Sequence, residues 1–421
     1  MQRRIVLGLL GSAAVAGAVP ASAAPAWSAA SAGNDTANAA LYWSQIAETV
    51  IAAGRSGGNA GVLGGIVHAA IHDAAMAVTG RHDGLLVSRR VHGSASVAAA
   101  VATACYLVLA ARVPDRADAV AEQYAAYLAL IRAGNAKQRG IDAGRMIAEA
   151  IITARADDGL DAVVPWVQPP TGPGVFEPVV TNPDGTPATP VGVELSRVRP
   201  LLRHRCDRPA GPDRLTSSRY AADLDEVRRY GRVDSTVRSA AQTDTALFWA
   251  ENTFVQWSRT LRQLGAARRL NTVATARMLG LAHVATAEAI IGCFDAKYHY
   301  VFWRPVHAIT RADTDANPAT TADPAWRQLL TVNHPEYPSA HACWTSSVTG
   351  ALAAFFGTDH VRLTMDSTVT GTSRTYRRLS EPAAEVLDAR VWAGLHYRNS
   401  VNDGAALGRR VARLVTAQAG Q

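Results

Sequence analysis

From Leu41 to about Gly159 apolar residues recur at helical spacing in alanine-rich text. Ile66, Ala69, Ala70 and Ala74 fall on one helical face, as do Met146, Ile147, Ala150 and Ile151. The pattern predicts several packed helices. It breaks between Val163 and Pro200, where Pro165, Pro169, Pro170, Pro173, Pro178, Pro183, Pro187 and Pro190 separate short β-prone words. Helical spacing resumes near Ser217 and predicts helices over 244–264, 272–294, 341–356, 382–395 and 403–417. Strand-like alternation is scarce, and there is no internal repeat or heptad run. The expected fold class is therefore all-α, a large helical bundle with a long Pro-rich irregular connection. Its expected parts are an N-terminal helical layer (24–162), the Pro-rich connection (163–216) and a C-terminal helical bundle (217–421).

Two uncharged stretches change this picture. The first follows Arg3 and Arg4 and ends at Ala21-Ser22-Ala23, which gives a basic start, an apolar middle and a small-residue cleavage site. Residues 1–23 are expected to be an export signal, with the paired arginines pointing to the twin-arginine route. The mature chain is then expected outside the cytoplasm, in the extracellular or cell-envelope space. The second stretch, Ser94 to Ala111, is long enough to cross a bilayer. Its alanine content supplies little transfer energy, so it is expected to be a buried bundle helix, leaving no membrane span after signal removal.

Composition sets further bounds. A chain of 421 residues with 48% hydrophobic and 18% charged residues can bury a large core, which excludes disorder as its dominant state. The net charge of +7 suits an anionic substrate, and nothing marks a nucleic-acid partner. Cys105, Cys206, Cys293 and Cys343 lack metal-finger spacing. Four cysteines allow three pairings, which the sequence leaves open. A Cys293–Cys343 bridge is geometrically plausible, because each residue adjoins one of the motifs below.

Three short words concentrate cations, histidines and a hydroxyl. The first runs from Lys297 to Arg304-Pro305. Seven residues at about 100° each would bring Lys297 and Arg304 within about 20° of one face if the segment stays helical, with Pro305 then ending the turn. The second is His334-Pro-Glu-Tyr-Pro-Ser339-Ala340-His341 ahead of an apolar run. Proline and serine there mark a helix N-terminus, where free amides and the Ser339 hydroxyl can face an oxyanion. His341 is expected one turn into that helix, positioned as an acid or base. The third word runs from Arg390 through His396 to Ser400. Arg390 offers a planar fork that matches phosphate or vanadate oxygens, and His396 a ring nitrogen that can act as ligand or nucleophile. Three cations around one pocket imply a bound multivalent anion.

The joint order of these words, Lys, six residues, Arg-Pro; Pro-Ser-Ala-His; Arg, five residues, His, resembles the signature of vanadium-dependent haloperoxidases and type 2 phosphatidic acid phosphatases. The resemblance is strongest from Asp295 to Gly404, and FWRPVHAITRADTDANPAT and HPEYPSAH are similar to the soluble bacterial haloperoxidase branch. It implies an all-helical bundle with the anion at one end. It also implies that His396 binds vanadium or, in a phosphatase, takes the phosphoryl group, and that His341 is the acid–base partner. Lys297, Arg304, Ser339, Arg390 and the Ala340 amide would neutralise the equatorial oxygens.

Two positions depart from the family pattern. Ala340 stands where glycine is usual, which keeps the amide but adds a methyl group. Ser400 stands where the phosphatases carry an aspartate, and a serine orients an imidazole less strongly.

Other residues stand at the edge of the reading. Glu251 is a candidate carboxylate partner for Arg390 by the resemblance. His334 is a candidate halide-tuning residue, because an imidazole near the bound anion would take up a proton as pH falls. His68 and His72, one helical turn apart beside Asp73, have metal-like spacing but no third ligand, and helix packing with a local polar contact is expected instead. The implied function is a vanadate-dependent haloperoxidase that oxidises halide, bromide and iodide preferred, with hydrogen peroxide, and passes the product to a small organic acceptor. The alternatives are a secreted acid phosphatase with a phosphohistidine intermediate, needing no cofactor and acting on a phosphomonoester, and an anion-binding member with a degraded site. A homodimer is the assembly to test.

Overall fold

The structure, a computed structural model, describes residues 38–202 and 206–420, so the expected export signal lies outside the described residues. Five helices open the chain: α1 (Ala39–Gly54), α2 (Gly57–Thr79), α3 (Val97–Arg112), α4 (Ala117–Leu130) and α5 (Asn135–Ala154). Segment 155–217 contains no α-helix among the described residues and only a short 3-10 turn at Glu194–Arg197. Its Val175 forms an antiparallel bridge with Phe302, pinning the connection beside the first motif.

The C-terminal part comprises α6 (Ser218–Tyr230), α7 (Ala240–Phe248), α8 (Thr253–Ala267), α9 (Thr272–Tyr300), α10 (Pro305–Thr310) and α11 (Ala340–Phe356). A β-hairpin of β1 (Leu363–Ser367) and β2 (Thr372–Tyr376) follows, then α12 (Ser380–Trp392) and α13 (Arg398–Gln418). The fold is all-α, with this hairpin as the small exception. One continuous apolar core joins α1, α2 and α3 to α8, α9, α11 and α13. Within it α2 packs along α9, and α11 along α13.

Caps account for the differences from the expected boundaries. The helix expected over 244–264 is divided because Asn252 starts a new one, its Oδ1 accepting from the amides of Phe254 at 3.0 Å and Val255 at 3.4 Å. Asn271 caps α9 in the same way through the Ala274 amide. The Ser94–Ala111 stretch forms the buried α3. The α2 and α9 helices are also long and apolar enough to cross a membrane, and both are buried within the bundle.

Two glycines on α13 set the spacing of the helix pair that builds the site. A Cβ at Gly404 would lie 2.6 Å from the Ser339 carbonyl oxygen, and one at Gly408 closer still to that of Cys343. Only a bare Cα lets α13 come this near the start of α11. The Ser339 amide then donates to the Ser400 carbonyl at 3.1 Å.

Candidate oxyanion site

The three words come together where α9, α11, α12 and α13 begin or end. The first does so without staying helical. Helix α9 stops at Tyr300, Val301 takes a left-handed conformation at φ 46°, and Arg304 is an extended N-cap of α10. Pro305 opens α10 instead of closing a turn, as its fixed φ and missing N–H favour at a first helical position.

Lys297 and Arg304 still converge, because both bond the same loop. Lys297 Nζ donates to the carbonyls of Pro335 at 2.8 Å and Glu336 at 2.9 Å. Arg304 donates from Nε to the His334 carbonyl at 2.7 Å, from Nη2 to Pro335 at 3.3 Å and from Nη1 to the Leu395 carbonyl at 2.8 Å. Both cations therefore strap the first word to the second, and Arg304 also ties it to the third.

Ser339 is the N-cap of α11, as the Pro-Ser word predicts, yet its side chain caps nothing. Its Oγ and the Nε of Arg390 are buried and find no hydrogen-bond partner among the described residues. Arg390 Nη1 is held by the Trp249 carbonyl at 3.0 Å. Donors buried without acceptors are costly, and an oxyanion is the kind of group that would accept from them, together with the N-terminal amides of α11 that have no partner within the helix. His341 is the second helical residue, not one turn in. It is half-buried, and its Nε2 lies 3.0 Å from Thr253 Oγ1.

Lys297, Arg304, Arg390 and His396 are almost wholly buried. Burial pushes Lys297 down to about 8, Arg390 down to about 9 and Arg304 down to about 10, with Arg304 adding to the effect on the other two. The imidazoles of His396 and His341 are held well below the usual histidine range, first by burial and then by Arg304, Lys297 and Arg390. Both are neutral near pH 7. A tetrahedral oxyanion fits this donor set, since it would offset the three buried cations and accept from the Ser339 hydroxyl and the free Arg390 Nε.

One residue of the site escaped the sequence reading. Glu336, fully buried in the second word, accepts from His396 Nδ1 at 2.8 Å and from the Tyr397 amide at 3.1 Å through Oε1. Burial raises its carboxyl to about 7, against the pull of Arg304 and Lys297. Ser400 Oγ sits 3.4 Å from the same imidazole nitrogen, a much weaker contact. Residue 400 thus leaves the orientation of His396 to a carboxylate from another element. The only available signal was an acid inside an otherwise apolar, Pro-rich word.

Two other expectations, for Glu251 and His334, are corrected. Glu251 does not meet Arg390; its two oxygens take Arg259 at 3.0 and 2.9 Å and the Thr368 amide at 2.9 Å, tying α8 to the hairpin. His334 lies beside the pocket and packs against Phe294, but its Nδ1 accepts from Arg304 Nη2 at 2.9 Å. Burial, with Lys297 and Arg304, holds its pKa well below the usual range, which opposes the expected uptake of a proton. His72 bonds Asp73 and His68 bonds Ser44 and stacks on His283, which are packing contacts. Cys293 and Cys343 lie in side-chain contact as buried thiols.

Comparison with known proteins agrees with this architecture. Residues 277–421, which contain all three words, match the family model described as the VCPO second helical-bundle domain. The match covers about a third of the chain, the part of the bundle that runs from within α9 to the end of α13.

Among solved structures, the chain is similar to the first bacterial vanadium-dependent iodoperoxidase, with 18% identity and a TM-score of 0.70 over 90% of this chain and 95% of that one. It is also similar to the apo and holo forms of a bacterial vanadium-dependent chloroperoxidase. These show 18% and 19% identity and TM-scores of 0.66 and 0.63, over 84% of this chain and 91% and 90% of theirs. At such identities the likeness concerns the fold. The search of curated proteins gives no match.

Proposed function

We propose that this chain is a vanadate-dependent haloperoxidase, exported from the cytoplasm, that oxidises halide with hydrogen peroxide and delivers the product to a small organic acceptor. The observation that carries this reading is a pair of buried donors, Ser339 Oγ and Arg390 Nε, that find no partner among the described residues, in a site with three buried cations and two neutral imidazoles. Lys297, Arg304, Arg390, Ser339 and the Ala340 amide would hold vanadate, and His396 would bind its metal. Vanadate held there supplies a Lewis acid that activates hydrogen peroxide toward halide without change of oxidation state. His341, neutral and half-buried, would act as the acid–base group for peroxide, and Thr253, whose Oγ1 lies 3.0 Å from its Nε2, would fix the ring.

Bromide and iodide are the proposed halides. Arg304 Nη2 is engaged by His334, so part of its donor capacity is withheld from the bound oxygens. Weaker activation suffices for bromide and iodide, whereas chloride is harder to oxidise. Replacing His334 by phenylalanine frees that N–H and is expected to shift oxidation toward chloride, read by halogenation of a phenolic dye with each halide. Efficient chlorination by the unaltered protein would refute the halide assignment alone.

A second reading, an acid phosphatase acting on soluble phosphomonoesters, gains support from Glu336. Its carboxyl beside His396 supplies the orienting group that Ser400 does not, which suits a nucleophilic imidazole. A paired assay separates the two: peroxide-dependent bromination with added orthovanadate, and phosphomonoester hydrolysis without it. Bromination supports the haloperoxidase, hydrolysis alone supports the phosphatase, and neither activity overturns both.

A further inference from the structure

His396 has two ring nitrogens, and its usefulness to an oxyanion depends on which one carries the proton. Arg304 Nη1 lies 3.4 Å from Nε2, and a guanidinium can only donate. Nε2 is therefore the bare nitrogen. The proton sits on Nδ1 and is donated to Glu336 Oε1 at 2.8 Å. Glu336 is fixed in turn, because Oε1 also accepts the Tyr397 amide, while the backbone of residues 334–336 is strapped by Lys297 and Arg304. The acid that aims the imidazole and the cations that would hold the anion thus share one rigid loop.

We propose that Glu336 is a positioning residue that sets His396 in the Nδ1–H tautomer and so biases the pocket toward an oxyanion able to bond Nε2, as vanadate does, over one held by charge alone, such as phosphate. The inference deepens the proposed function and rests on it. The reasoning has two opposing parts. A buried carboxylate among the cations weakens attraction for any anion. The same carboxylate keeps the Nε2 lone pair available and its basicity high, a gain felt only by a ligand that forms a bond to nitrogen.

The test combines Glu336→Ala and the isosteric Glu336→Gln. Orthovanadate and inorganic phosphate are titrated separately into the vanadium-free protein by calorimetry, with thermal unfolding as a check of folding. Glu336→Ala is expected to lose roughly 10- to 100-fold in vanadate affinity, while phosphate affinity stays the same or rises. Glu336→Gln, whose amide oxygen can still accept from Nδ1–H, is expected to recover most of the vanadate affinity. Nitrogen NMR of histidine-labelled, vanadium-free protein should show His396 protonated on Nδ1. A parallel loss of both anions in Glu336→Ala, an unchanged vanadate affinity, or an Nε2–H tautomer in the unaltered protein would each overturn the proposal and leave the functional reading standing. Failure of the unaltered protein to bind either anion would instead overturn the functional reading, and this proposal with it.

Discussion

Replacing Gly404 by alanine tests whether the site depends on how closely α13 approaches α11. The added Cβ would meet the Ser339 carbonyl oxygen at 2.6 Å, Ala342 Cβ at 3.2 Å and the Ser339 nitrogen at 3.3 Å. Carbon and backbone oxygen ordinarily meet at roughly 3.4 Å, so the helices must part by about 0.8 Å at that point. Overpacking of this kind costs about 1–3 kcal/mol, and alanine returns about 0.5–1 kcal/mol through its better helix propensity. A net loss of about 0.5–2 kcal/mol is expected, at roughly 2–4 °C of melting temperature per kcal/mol. The displaced residue is Ser339, so turnover should fall about 100-fold, as it does when reacting groups are misplaced by 1 Å.

Thermal unfolding, phosphate calorimetry and halogenation rates measure the three effects. Gly172→Ala is the control, since nothing lies within 4 Å of a Cβ there, and it should change stability by less than about 0.5 kcal/mol. A Gly404→Ala protein that melts higher and binds phosphate normally would show that α11 is not held by this contact.

The other predictions concern the pocket itself. His396→Ala is expected to abolish vanadium incorporation, while His341→Ala keeps the metal and loses most turnover; equal metal loss in both, measured by elemental analysis, would show the roles to be misassigned. Ser400→Asp, alone or with Ala340→Gly, is expected to give no gain in phosphomonoester hydrolysis and a lower melting temperature, because a second buried carboxylate would face Glu336 across one imidazole nitrogen; a clear rise in hydrolysis would contradict this. Phosphate affinity is expected to fall as pH climbs through about 8, when Lys297 loses its proton. The stability of the anion-free protein should show the reverse trend. Between about 8 and the ordinary lysine value the unfolded chain holds a proton at Lys297 that the folded chain does not, so stability from this group rises with pH.

The sequence disclosed most of the chemistry and less of the geometry. The three words announced their cations because residue type and order survive any backbone path, and the Pro-Ser word announced a helix start because those residues act locally. The route from Lys297 to Arg304 was not legible, since the left-handed Val301 is imposed by tertiary packing and no glycine or asparagine marks it. Glu336 was hidden for a related reason. Its partner, 60 residues away, is chosen by how the loop is strapped across the pocket, and nothing periodic surrounds it. Glu251 shows the opposite error, in which a resemblance suggested a partner and the nearer Arg259 took both oxygens. The hairpin escaped because β1 and β2 are five residues each, too short for alternation to stand out.

The burial of α2 and α9 has a consequence for the chain before it folds. In the native molecule their apolar surface is covered by neighbouring helices, but in a nascent or denatured chain it is bare, and a bilayer competes with the rest of the protein for it. Lipid is then an inhibitor of folding and a bystander to the finished protein. Refolding from denaturant should lose yield when vesicles are present from the start and keep it when they are added afterwards, so that the order of mixing alone decides how much active protein is recovered.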